Sequence, residues 1–183
     1  MSAYQLRKGE NRPIPTQSVV VSCHWVGVVD READLIALPL TGGSVRSDDD
    51  LVFYNQPSAI GGAVALRDKE HLGGLVEASV QIDLAAMPED LDRVAIALSV
   101  DDDRLLAELG PYEIELAALD GTAIAGFAIT DMTTEAAAVV LEIYRRADGW
   151  RIRAVGQGYP AGLARLVQDY GVAVDDQSTP PAG

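Results

Sequence analysis

The sequence predicts an all-β protein, a β-sandwich carrying one or two short helices. Three observations point there. Short runs rich in β-branched residues recur along the chain at spacings of about 8–12 residues, and Gly, Pro or Asp turn signals separate them. One run, Val94 to Val100, is apolar but for Ser99, the pattern of a strand covered on both faces. Only one late segment shows helical spacing with a glycine stop. With 183 residues and 48% of them hydrophobic, one full core can form, and a chain disordered over most of its length is excluded.

Taken in order, residues 1–16 are polar, contain Pro13 and Pro15, and read as a lead-in with room for a short strand. Ser18 to Val29 is a strand by its Val, Cys and Trp content, closed by a polar break at Asp30 to Glu32. Leu35 to Leu40 follows and stops at Thr41-Gly42-Gly43. The acidic patch Ser47-Asp48-Asp49-Asp50 precedes Leu51 to Tyr54. Ala63 to Leu66 and Val76 to Leu84 are strand-length, with Gly73-Gly74 between them. Asp101 to Asp103 and Gly110 bracket Arg104 to Leu109 as a short capped helix. Tyr112 to Leu116 and Ala123 to Ile129 are further strands.

Glu135 to Arg146 is contested. Ala136 to Ala138 favour helix, whereas Val139-Val140 and Ile143-Tyr144 favour strand. The Asp148-Gly149 turn and the alternating Trp150 to Gly156 segment beyond it predict a hairpin, so strand is expected. Gly162 to Tyr170 places Leu163, Leu166 and Val167 on one face of a short helix. The expected organisation is a lead-in at 1–16, one sandwich domain at 17–174 and a disordered tail at 175–183.

Charge narrows the function classes. There are 28 acidic and 14 basic residues, a formal net charge of −14. Nucleic acid and anionic membranes are repelled by such a surface, so neither is an expected partner. No apolar run reaches the ~18 residues of a membrane span, and the N-terminus lacks a signal-peptide core. Cytoplasmic localisation is the expectation.

Catalysis finds no footing. Cys23 and His24 are adjacent in a strand and point to opposite faces, so they cannot form a dyad. No phosphate-cradling loop and no nucleophile elbow is present. The protein is expected not to be an enzyme.

The acidic pairs are the sites with chemical content. Glu32 and Asp34 lie two apart before one strand, and Asp48 and Asp50 lie two apart before another. Two carboxylates about 4 Å apart repel by roughly 4 kcal/mol at an effective dielectric near 20, so convergence calls for a cation. The alternative is a solvated turn. An EF-hand is excluded, because Val52 or Leu105 falls at the fifth loop position and glycine is missing from the sixth.

Two long motifs resemble the TerD family of tellurium-resistance and general-stress proteins. The first is Ser47-Asp48-Asp49-Asp50-Leu51-Val52-Phe53-Tyr54-Asn55-Gln56. The second runs from Leu141-Glu142-Ile143-Tyr144-Arg145-Arg146 through Trp150-Arg151-Ile152-Arg153-Ala154-Val155-Gly156-Gln157-Gly158-Tyr159. Val80 to Leu84 with Met87-Pro88, and Tyr170-Gly171-Val172, are similar as well. The resemblance covers about residues 17–174. It implies a β-sandwich binding Ca²⁺ in loops at one end, a bacterial stress-response role, protein partners that include other tellurium-resistance-type stress proteins, and no enzymatic activity.

On this resemblance Asp34, Asp48 and Asp50 are the expected carboxylate ligands, with Glu32 and Asn55 as additions. One departure bears on the ion. The family's acidic, glycine-rich loop is replaced by Asp68-Lys69-Glu70-His71-Leu72-Gly73-Gly74, which loses carboxylates and gains Lys69. The expectation is a partial Ca²⁺ site, and the alternative is a metal-independent scaffold of the same fold. Arg151 and Arg153, on one face of a strand, are expected to pair with carboxylates at under ~1 kcal/mol each.

Overall fold

The structure is a computed structural model describing residues 4–29, 31–101 and 103–172. The 175–183 tail lies outside the described residues. Among the described residues, thirteen strands form two sheets. The strands are β1 (Tyr4–Gln5), β2 (Asn11–Pro13), β3 (Ser18–Val26), β4 (Asp34–Leu40), β5 (Ser58–Ala59), β6 (Val64–Leu66), β7 (Glu70–Leu72), β8 (Leu75–Asp83), β9 (Arg93–Ser99), β10 (Tyr112–Ala118), β11 (Ala123–Ile129), β12 (Ala137–Arg146) and β13 (Gly149–Tyr159). One α-helix, α1 (Leu163–Asp169), follows.

The large sheet runs β1-β11-β10-β3-β8-β6-β5, with β7 also paired to β8. The small sheet runs β2-β13-β12-β9-β4. The all-β sandwich that the sequence predicts is therefore the observed fold.

Alternation explains the main core. Val19, Val21, Cys23 and Trp25 of β3 point inward and meet the inward residues of β8, β10 and the small sheet. Val94, Ile96 and Leu98 of β9 face the same core, while Ala95 and Ala97 face outward. Those outward residues are covered by Leu166 and Val167 of α1, in a second apolar cluster with Ile36, Leu38 and Leu40. This double cover is why β9 reads as a continuous apolar run.

The contested segment is strand. Its broken alternation comes from a bulge: Val139 and Leu141 of β12 pair with Ala97 and Ile96 of β9, leaving Val140 without its own partner. Val140 and Leu141 therefore both enter the core. On the other side β13 spends two residues, Val155 and Gly156, on the same step. Gly156 takes φ +69 there, a conformation that an L side chain adopts only under strain.

The lead-in is structural. β1 joins β11 in the large sheet, and β2 joins β13 in the small one. Leu6 and Ile14 are buried in the main core. The short helix expected over Arg104 to Leu109 shrinks to one 3₁₀ turn, Leu106–Glu108. Its entry is held by Glu108, whose carboxylate accepts from the Leu105 N–H at 2.8 Å, so this glutamate rather than the upstream aspartates satisfies that donor.

Several loops use the same device. Glu135 accepts from the Thr133 N–H at 2.7 Å, Asp120 from the Thr122 N–H at 2.9 Å, and Glu10 from the Arg7 N–H at 2.9 Å. In each, and in Glu108, the backbone donor holds the carboxyl below its ordinary range. A depressed folded-state value contributes stability above the unfolded value and loses it as pH falls. The melting temperature should accordingly drop between about pH 5 and pH 3. Calorimetric melts across that range check this, and Glu135→Gln should flatten the slope.

Candidate functional site at one loop end

Asp34 opens β4, and Glu32 and Ala33 precede it in the β3–β4 loop. Lys69, from the β6–β7 connection, reaches this segment. Its Nζ donates to the Glu32 carboxylate at 2.7 Å, to the Ala33 carbonyl at 2.8 Å and to the Asp34 carboxylate at 3.3 Å. The ammonium also lies 5.9 Å from the centroid of the Trp25 ring, which is 1% exposed and forms the floor of this end. His71 stands 3.9 Å from the other Glu32 oxygen.

The second acidic pair sits on a single 3₁₀ turn, Asp48–Asp50, started by Ser47, whose hydroxyl accepts from the Asp49 N–H at 3.1 Å. Asp50 is buried. Arg46 grips it with both prongs of its fork, Nε to Oδ2 at 2.8 Å and Nη2 to Oδ1 at 3.2 Å, and also reaches Asp90. The side chain of Asp48 is exposed, while its backbone carbonyl accepts from Gln56 Nε2 at 3.0 Å. Asn55 is exposed in the turn between Phe53 and Gln56.

Of the five residues the sequence singles out, the structure joins Glu32 and Asp34 through Lys69, and holds Asp50 apart from them on Arg46. Among the described residues, no group of three or more His, Cys, Asp or Glu is gathered in a way that could hold a metal ion. As arranged, the donors do not fit a Ca²⁺ ion, which needs six to eight oxygens around one point. A cavity of about 290 Å³ opens beside the cluster, lined by Asp34, Tyr54, Arg67, Asp68, Lys69 and Ser79 among others.

Sequence reasoning registered the charge of Lys69 but not its destination. Arg46 gave the plainer signal, since it lies four residues before Asp50. Asp50→Asn should lower stability by about 1–2 kcal/mol, because a carboxylate held by a guanidinium fork is replaced by a neutral amide in a nearly buried position. Were Asp50 held mainly in repulsion with other carboxylates, the same change would raise the melting temperature instead. Urea denaturation measures the sign.

Elsewhere, Cys23 is fully buried and its thiol is pushed well up by that burial, which removes the thiolate that redox chemistry requires. His24 faces the other way and pairs with Glu77 at 2.5 Å. No helix among the described residues is long and apolar enough to cross a membrane.

The family profile described as TerD domain matches residues 2–170. The tellurium resistance protein TerD of Serratia marcescens is 32% identical over 152 residues, covering 79% of this chain and 78% of that one. General stress protein 16U of Bacillus subtilis (strain 168) is 28% identical, covering 72% of each. The crystal structure of a homologue of telluride resistance protein (TerD) from Streptomyces coelicolor A3(2) superimposes with a TM-score of 0.68 at 18% identity, over 86% of this chain and 99% of that one.

Proposed function

Since the chain belongs to the TerD family, we propose that it serves in the bacterial response to stress of the tellurium-resistance type, by binding other proteins rather than by catalysis, and that its acidic loop end is balanced by its own side chains instead of by calcium. The observation that carries this reading is the Lys69 ammonium, set against Glu32, the Ala33 carbonyl and Asp34. A covalently attached cation there does what an ion does for clustered carboxylates: it relieves their repulsion and fixes the loops. It also makes the order of this end independent of the ion's concentration. The other proteins of tellurium-resistance type are the partners this reading favours, and the cytoplasm is its setting.

The calcium reading has one observation in its favour. The side chains of Glu32 and Asp34 are 57% and 43% exposed, so an incoming ion can reach their oxygens if Lys69 swings away. Thermal melts separate the two. An internally balanced site gives superimposable curves in millimolar Ca²⁺ and in excess chelator. A site filled at a hundredfold excess over Kd gains about 2.7 kcal/mol, a rise of roughly 5–10 °C for a domain of this size. Lys69→Met sharpens the comparison, because it leaves Glu32 and Asp34 facing one another. That variant should melt lower than the parent, and Ca²⁺ should recover part of the loss.

A further inference from the structure

The two outer faces of the sandwich carry opposite charge. On the large sheet, the register sets Glu70, Glu77, His24 and Glu113 in one row across β7, β8, β3 and β10. Glu115 lies in the next row, opposite Ser22, which in turn faces Ser79. Ala65, Ala117 and Ala128 face outward nearby, Gln5 lies over Gly126, and Arg67 reaches Gln81 of β8 on the same face. His24 is the one group of opposite potential sign in the row, and Glu77 already engages it.

On the small sheet, β9, β12 and β13 present Arg93, Arg146, Arg151 and Arg153 on the outward side, around the ring of Tyr144. Three of these guanidinium groups stand 5.6–5.9 Å from that ring. Glu142 lies among them, buried and engaged by Arg93 and Arg153, and Asp148 is beside Arg146 and Arg151. Helix α1 covers only the remainder of this face. A chain with 14 basic and 28 acidic residues thus places four arginines together on one side of the sandwich.

We propose that the arginine face of one molecule docks on the glutamate face of a second copy. The occupant is identified by charge complementarity, since the acidic row offers carboxylates on a flat sheet to the planar forks of Arg146 and Arg151. The net charge of −14 opposes approach at long range. The Debye length is ~8 Å at physiological salt, so at contact the facing patches outweigh the distant charge. The two surfaces differ and lie on opposite sides of the sandwich, so the contact is head-to-tail and does not close on itself. Mass should therefore grow steadily with concentration rather than halt at a dimer. The inference deepens the interaction role proposed above and rests on it for its purpose, while its test does not involve the loop end.

Sedimentation equilibrium of the whole chain, up to about 1 mM protein, reads it. The weight-average mass should rise with concentration at ~0.1 M salt and stay near the monomer at ~0.5 M. Arg146→Glu with Arg151→Glu makes both faces acidic, and Glu113→Arg with Glu115→Arg cancels the negative charge of the glutamate face, leaving Glu70 and Glu77 against two arginines. Each double variant alone should be monomeric, and an equimolar mixture should associate again. A wild-type chain that stays monomeric throughout overturns the proposal, a result that needs no variant to fold. So does a wild-type assembly indifferent to salt, or a mixture that fails to associate when both variants melt like the parent. Unchanged melting in Ca²⁺ alongside a monomeric chain would leave the loop-end reading standing and remove this one.

Discussion

Replacing both Arg93 and Arg153 with methionine is expected to destabilise the protein by about 3–5 kcal/mol. Glu142 is the reason. It sits on the outward side of β12, only 4% exposed, between Arg93 Nη1 at 3.1 Å and Arg153 on the neighbouring strands. Methionine keeps most of the apolar stem and removes the positive charge. The carboxylate then stays buried with neither cation, and desolvation is no longer offset. Either single variant should cost less, because one arginine remains. Glu142→Met in the double background should recover much of the loss, since an apolar replacement of the whole cluster carries no stranded charge. Arg151 provides the contrast. Its Nε donates to the Asn11 side chain at 2.8 Å, and Arg151→Ala should cost under about 1 kcal/mol. Urea titration of the five variants and the parent gives the comparison.

Trp25→Ala should cost a similar amount, about 3–5 kcal/mol. The indole is fully packed, meets Tyr112 edge-on at 6.0 Å between ring centroids, and supports the Lys69 ammonium from below. Truncation opens a cavity beneath the loop end and loosens the group that holds Glu32 and Asp34. Trp25→Phe isolates the packing contribution. It retains an aromatic plane and removes an indole N–H that is buried without a hydrogen-bond partner, so its cost should be well below that of alanine. Thermal melts rank the two, and the intrinsic fluorescence of the remaining Trp150 reports whether the sandwich stays closed.

Where strands alternate cleanly, the fold was legible from residues alone. β11 was read at its observed limits, and β3, β4, β8, β9 and β10 differ from their expected limits by a few residues at the ends. The difficulty at residues 135–146 had a physical source. A bulge at Val140 turns two successive residues inward, and the period of two that marks a strand is interrupted there. The expected helix after Asp103 failed because the segment has room for one turn only, and Glu108 from within that turn does the capping. The lead-in hid its role because two- and three-residue strands leave almost no pattern.

At the loop end, chemistry was readable and placement was not. The acidic pairs are evident in the sequence, yet what meets them depends on tertiary structure. Lys69 lies 35 residues beyond Asp34 and reaches it only because β6 and β7 both flank β8. Arg46 and Asp50, four residues apart, could have been paired by spacing. The charge on the arginine face was visible as Arg151 and Arg153, but the expected pairing with carboxylates is met at Arg153 alone. Arg153 joins a buried carboxylate, whereas Arg151 bonds to an amide oxygen.

The pairing of the first strands with some of the last governs how this protein can be made. Tyr4 and Gln5 find their partners at Ala125 and Gly126, and Asn11 to Pro13 find theirs at Arg151 to Arg153. A chain emerging from the ribosome carries these segments loose until nearly all of it has been synthesised. β3 and β8 can pair early, as can β4 and β9, but the small sheet has no centre until β12 arrives. Until then the apolar inner faces of both halves stay open to water and to other chains. Such non-local closure is slow and exposes surface that aggregates. Arrest of translation before Ala137 leaves a large sheet with all of its strands facing a small one reduced to the β4–β9 pair, a species suited to capture by chaperones or proteases and unable to become a smaller working protein.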